Sequence, residues 1–216
     1  MSAREAILAR IRELQRKPPQ PAAHEIDSVR AHIAAHARSP RPRDEWQPLV
    51  RFRERALSLA SSYDEADAAA DVPRLVARYL DEHRLPRKAV CWRGLAELDW
   101  PAHGIEIEAR TARGGDLVGI TGAYCAIAET GTLMTLSGAD TPPSVSLLPE
   151  THIAVVNASS VVPSMEDAWA RLRADAAMLP RSVNFISGPS RTADIEQTVT
   201  LGAHGPYRVH IIVIRR

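Results

Sequence analysis

Cysteine is scarce in this 216-residue chain, which carries only Cys91 and Cys125. The two have no Cys-x-x-Cys spacing and no histidine set beside them, so the chain alone cannot build a four-thiolate zinc or iron–sulfur site. Any redox cluster would belong to a partner. Each cysteine lies in an apolar or small-residue run, Ala89-Val90-Cys91-Trp92 and Ala123 to Ala128, where a buried and inert thiol is expected and a catalytic one is the alternative. Long apolar runs are missing as well. None approaches the length of a membrane span, and Met1 to Glu5 leads into an amphipathic pattern instead of a signal-peptide core, so a cytoplasmic location is expected. Nor does one sign of charge dominate. The formal net charge of +1 gives no electrostatic ground for a nucleic-acid or acidic-membrane partner. The first sixty residues hold twelve Lys/Arg against seven Asp/Glu, interleaved on helix-like segments as on a solvated face. No Gly-x-Gly-x-x-Gly fingerprint follows a strand-like run, and Gly114-Gly115 does not replace one.

What is present reads as one α/β domain behind an N-terminal helical extension. Hydrophobic residues make up 45% and charged residues 25% of the chain, enough for a sizeable core. Ile7, Leu8, Ile11 and Leu14 recur at helical spacing until Pro18-Pro19 ends the pattern. Six prolines up to and including Pro48 (18, 19, 21, 40, 42 and 48) set off residues 1–47 as a helix and Pro-rich linker, with one further short helix from about Ile26 to Ala37. From Pro48 to residue 216 the pattern is continuous. Helices are expected over Leu49 to Ala60, after Asp71-Val72-Pro73 with Asp71 as cap, and from Ser164 to about Ala177 with capping-box spacing to Asp167. Strands are expected at Lys88 to Trp92, Ile105 to Glu108, Leu117 to Thr121, His152 to Val156, Val183 to Ser187 and Val209 to Ile214. Helices alternating with short apolar strands predict a mixed, largely parallel sheet flanked by helices.

Three motifs carry candidate chemistry. In Phe185 to Glu196, an apolar strand is broken by Gly188-Pro189 and followed by Ser190, Thr192 and Asp194, residue types that accept hydrogen bonds from free amides at a helix start, with Arg191 among them. A carboxylate or phosphate would be favoured at such a start, with Arg191 adding fixed charge. The alternative is that these residues only cap and that Arg191 is a structural ion-pair partner. In Ala126 to Met134, Gly131 suits a tight hairpin turn projecting Glu129, Thr130 and Thr132; these can orient a substrate hydroxyl, with Glu129 as general base, or form a solvated tip. In Leu201 to Pro206, Gly202 reads as a helix C-cap and His204 lies between two glycines, either as a proton-transfer group or as a residue that fixes the turn. His152, opening a buried strand, reads as structural.

Ala-Glu-Thr-Gly-Thr at 128–132, Ser-Leu-Leu-Pro at 146–149 with His-Ile at 152–153, Ser-Gly-Pro-Ser-Arg-Thr-Ala-Asp-Ile-Glu at 187–196 and Gly-x-His-Gly-Pro at 202–206 together resemble the LUD domain of the lactate-utilisation protein C family, over roughly Pro48 to Ile214. The resemblance implies an α/β fold similar to the ribose-phosphate isomerase, glucosamine-phosphate deaminase and CoA-transferase superfamily, with ligands at strand ends. It also implies a place in a three-protein bacterial system that oxidises L-lactate to pyruvate, in which the other two components carry iron–sulfur clusters. No cofactor is then expected in this chain, and its expected partners are those iron–sulfur proteins, a small carboxylate or phosphate, and a second copy if it is a homo-oligomer. The resemblance supplies no catalytic residues. From residue chemistry, Ser190, Arg191, Thr192, Thr130 and Thr132 are the candidate substrate-binding residues, and Glu129 and His204 the candidate catalytic ones. The competing reading is a stand-alone enzyme acting on an acyl-CoA or sugar phosphate, by superfamily analogy alone.

Overall fold

The computed structural model describes residues 2–18, 20–38, 40, 45–176, 178–192 and 200–215. It divides into two units, Met1–Arg43 and Asp44–Arg216. The first contains α1 (Ala3–Leu14) and α2 (Ala23–Ala35). Ser2 and Glu5 form a reciprocal capping box that satisfies amides at the start of α1. Ile7, Ile11 and Leu14 on α1 and Ile26, Val29 and Ile33 on α2 are exposed, so neither helix buries an apolar face.

The second unit is built on a six-stranded sheet of β1 (Ser62–Ala66), β2 (Lys88–Cys91), β3 (Glu106–Ala109), β4 (Val118–Gly122), β7 (Thr151–Asn157) and β12 (Arg208–Ile214). The order is β1-β12-β7-β4-β2-β3, and every neighbouring pair is parallel. All strands therefore share one amino edge and one carboxyl edge. The inner strands β2, β4, β7 and β12 are buried on both faces, as a helix-covered parallel sheet requires, while the edge strands β1 and β3 are partly exposed. Ile153, Val155, Ile212 and Ile214 pack with Val72, Leu75, Val76 and Leu80 of α4 (Val72–Glu82). Ala154, Val156, Val209, Ile211 and Val213 pack on the opposite face with Phe52 and Ala56 of α3 (Pro48–Ser58).

That second face also carries a four-stranded sheet, ordered β8-β5-β6-β9, made of β5 (Cys125–Ile127), β6 (Thr132–Leu136), β8 (Val161–Val162) and β9 (Val183–Ile186). Ala126, Ala128 and Leu133 join the α3 core. Cys125, Ile127 and Met134 face Ala168 and Leu172 of α6 (Met165–Asp175) instead. The strand expected at Val183 to Ser187 thus belongs to this smaller sheet, not to the main one. Ser164 caps α6 as the spacing predicted, its Oγ accepting from Asp167 N at 3.3 Å. Asp71 sits at the start of α4 without a side-chain cap bond there; its carboxylate accepts from Ala68 N at 3.1 Å. A short α5 (Ser144–Leu147) lies over β4.

The helix start expected after Gly188-Pro189 is not formed at Ser190 to Thr192. Arg191–Thr192 is a strand, β10, antiparallel to β11 (Thr200–Leu201). Gly202 accordingly follows a strand instead of capping a helix. Asp194 and the helix expected from it lie outside the described residues. Among the described residues, no helix is long and apolar enough to cross a membrane.

Candidate functional site

Two of the three sequence motifs press on the C-terminal turn of α3, and the third is bonded to one of them through Ser190. Gly131 closes the β5–β6 turn at φ +69°, its amide donating to Ile127 O at 2.9 Å. A Cβ there would stand 2.6 Å from Ala56 N, so the turn is pressed onto the α3 backbone and only glycine fits. Gly188, at φ +77°, makes the same approach one turn further along: its Cβ would fall 2.4 Å from Leu59 O. Arg191 Nη2 donates to that Leu59 carbonyl at 2.8 Å. Arg191 therefore sits at a helix C-terminus, where unpaired carbonyls and the negative dipole end favour a cation, and not at the helix N-terminus expected from its neighbours.

A row of hydroxyls joins the turn to the loop. Thr130 Oγ1 lies 2.7 Å from Thr132 Oγ1, which lies 2.6 Å from Ser187 Oγ. Thr132 is buried and Ser187 exposed, so the row runs from the core to solvent. Ser190 clasps the third motif: its amide donates to Pro206 O at 2.8 Å, its carbonyl accepts from Gly202 N at 3.0 Å, and its Oγ accepts from His204 N at 3.3 Å. The His204 ring is exposed. Glu129 is half-buried and anchored through its amide to Pro163 O at 3.0 Å. Thr192 pairs with Thr200 in the β10–β11 ladder. The structure thus brings Thr130, Thr132 and Ser187 into one row, and Ser190 and His204 into another. Among the described residues no hydrogen bond links Glu129 or the His204 ring to Arg191. Sequence reasoning did not single out Ser187, or the α3 end at Leu59 on which the assembly rests.

This assembly lies at the amino edge of the main sheet. Leu59 precedes β1, and Pro206 precedes β12; the amides of Tyr207 and of Arg208, the first residue of β12, donate to Glu150 O just before β7. Superfamily analogy led us to expect ligands at strand ends beside this loop; the edge is the one from which strands start.

Two buried histidines lie elsewhere in the sheet. His152 is fully buried, with Nε2 2.7 Å from Thr121 Oγ1, and burial lowers its pKa to about 4, so the ring is neutral. His210 Nδ1 is 2.9 Å from Ser62 Oγ, its Nε2 is 3.3 Å from Asp64 Oδ2 without hydrogen-bond alignment, and Tyr79 stacks on it at 4.2 Å. This Ser–His–Asp row has no accessible imidazole, His210 being 2% exposed, and it serves to tie the edge strand β1 to β12. His210 holds the Asp64 carboxyl down at about 2, burial opposes it, and Arg78 adds to the lowering. Burial raises the thiols of both Cys91 and Cys125 to about 11, which keeps them protonated and unreactive.

Comparison with known proteins gives a consistent set of likenesses. The LUD domain profile matches residues 69–214, more than half of the chain. Lactate utilization protein C of Bacillus licheniformis is 37% identical over 133 residues, covering 56% of this chain and 55% of that protein. The Bacillus subtilis protein of the same name is 37% identical over 134 residues, covering 56% of each. That of Halalkalibacterium halodurans is 46% identical over 100 residues, covering 45% of this chain and 44% of the relative. The chain spans about half the length of the curated relatives it matches. Among solved structures, a DUF162 family protein from Deinococcus radiodurans superposes with a TM-score of 0.56 at 25% identity, covering 81% of this chain and 99% of that one.

Proposed function

Because the chain belongs to the LUD domain family, we propose that it is a cluster-free component of an L-lactate utilisation system, an accessory or substrate-binding subunit that works beside iron–sulfur proteins. The observation that carries this reading is the contact of the motifs at 129–132 and 187–192 with the end of α3, with the turn at 202–206 bonded to Ser190, so that hydroxyls and a guanidinium come together from distant parts of the chain. Arg191 has one of its five N–H donors on Leu59 O and can offer others to a carboxylate, with Ser190, Thr192, Thr130 and Thr132 as polar support. Glu129 and His204 are the groups with proton-transfer chemistry at this surface. Oxidation of a hydroxy acid needs an electron acceptor. The two cysteines, buried in separate clusters with protonated thiols, support assigning that acceptor to partner proteins.

The anion assignment is tested by calorimetric titration with L-lactate, pyruvate and inorganic phosphate. Loss of a charge-assisted bond in Arg191→Ala should weaken carboxylate binding roughly tenfold or more. An unchanged affinity in a variant that melts like the wild type removes Arg191 from the site.

A further inference from the structure

The N-terminal unit presents two apolar seams that a single copy of the chain leaves open. On α1, Ile7, Ile11 and Leu14 are spaced four and then three residues apart; on α2, Ile26, Val29 and Ile33 are spaced three and then four. Steps of three and four keep side chains on one helix face, so each trio is a seam spanning one heptad repeat. All six side chains are between 38% and 70% exposed. Helices of 12 and 13 residues are marginal in water unless an apolar face is packed, so both seams call for a cover.

Spacing, charge and the connection between the helices identify that cover. Read from its C-terminal end, α2 runs four and then three, the same order as α1 read forward. Antiparallel pairing therefore sets Ile7 against Ile33, Ile11 against Val29 and Leu14 against Ile26, three apolar layers with no polar residue in the seam. Charge agrees with this pairing. Residues 2–17 carry Arg4, Arg10, Arg12, Arg16 and Lys17 against Glu5 and Glu13, whereas residues 22–36 carry Arg30 against Glu25 and Asp27. A basic α1 is thus drawn to an acidic α2 and repelled by another α1. Closure within one chain is opposed by the connection, residues 15–22, where Pro18, Pro19 and Pro21 fix φ and stiffen the path. The helices stand open across it: Lys17 Nζ donates to Glu25 Oε1 at 3.2 Å, and a cavity of about 340 Å³ remains between them, lined by Arg12, Pro18, Pro21, Ile26 and Val29. A contact that a stiff connection denies to one chain is available, unchanged, between two.

We propose that the N-terminal unit is a homodimerisation arm: α1 of one copy packs antiparallel on α2 of a second copy, and the twofold axis repeats the contact to close a four-helix bundle. The pairing does not depend on the function proposed above. Sedimentation equilibrium of the full chain tests it, with circular dichroism and thermal melts confirming that each variant is folded. The wild type should dimerise, and Ile11→Asp or Val29→Asp should each raise the dissociation constant about a hundredfold or more, since one substitution puts a charge into both seams. Disulfide trapping under a mild thiol oxidant reads the register, the native Cys91 and Cys125 being buried. An equimolar mixture of Ile11→Cys and Val29→Cys chains should give a linked dimer that neither variant gives alone. A wild type that stays monomeric, including one that binds anionic vesicles as a monomer, overturns the proposal. So does a dimer that both Asp substitutions leave intact. A chain carrying both Ile11→Cys and Val29→Cys that oxidises to a monomer with an internal disulfide would show closure within one chain, and overturns it as well.

Discussion

At the scale of single residues, backbone conformation decides more here than charge does. Gly131 was readable because a left-handed residue between two strand-like runs has few alternatives. Arg191 was misplaced because Ser, Thr and Asp suit turns and strand ends as well as helix starts, and what selects between them is the pairing with Thr200–Leu201. Ala60 takes φ +65° just after α3, its amide bonded to Leu57 O and the Ser61 amide to Ala56 O in a helix-ending turn that glycine usually fills. Ala60→Gly should therefore stabilise the protein by roughly 0.5–1 kcal/mol, the left-handed penalty less the entropy of glycine, read as a raised melting temperature. Gly188→Ala should do the opposite and cost about 2–4 kcal/mol in chemical denaturation, combining the same penalty with a clash against Leu59 O. His152 gives a pH signature. Its folded pKa is lowered from 6.5 to about 4, so the stability it contributes is complete above pH 6.5 and drains away as pH falls towards 4, where the unfolded chain takes up a proton that the folded one refuses. Denaturation midpoints of His152→Gln should lose that slope, while the Asp64 contribution, falling between 3.8 and about 2, should remain.

At the scale of elements, short continuous apolar runs made most of the main sheet legible, because β2, β4, β7 and β12 are buried on both faces. β1 escaped for the same physical reason. Its Ser-Tyr-Asp-Glu-Ala sequence has no apolar period, and it is held by pairing to β12 and by the Ser62–His210 contact, 148 residues apart in sequence. The hairpin of β5 and β6 was readable, but not that it would lie on α3 and carry a second sheet, since that depends on Ala126, Ala128 and Leu133 meeting Phe52 and Ala56. The row Thr130–Thr132–Ser187 is what couples this hairpin to the signature loop. Thr132→Val should loosen that coupling at a cost of about 1 kcal/mol, small because water can reach Ser187, and should accelerate amide exchange in the loop at 187–192.

At the scale of the whole molecule, the candidate residues and a small cavity lie at opposite edges of one parallel sheet. The amino edge carries Arg191 and the Thr130–Thr132–Ser187 row, held to a helix end; the carboxyl edge carries the cavity, lined by two arginines. The motifs were visible in the sequence because each is local. The cavity was not, because Arg93, Arg110 and Asp140 come together only through the strand order. The central claim, that this chain supports L-lactate oxidation without carrying the redox group, is tested most directly by reconstitution. L-lactate-dependent reduction of an artificial electron acceptor is measured for the chain alone, for the proposed iron–sulfur partner proteins alone, and for the mixture. The account predicts reduction only by the mixture; lactate oxidation by the chain alone, or full activity of the partners without it, would contradict the account.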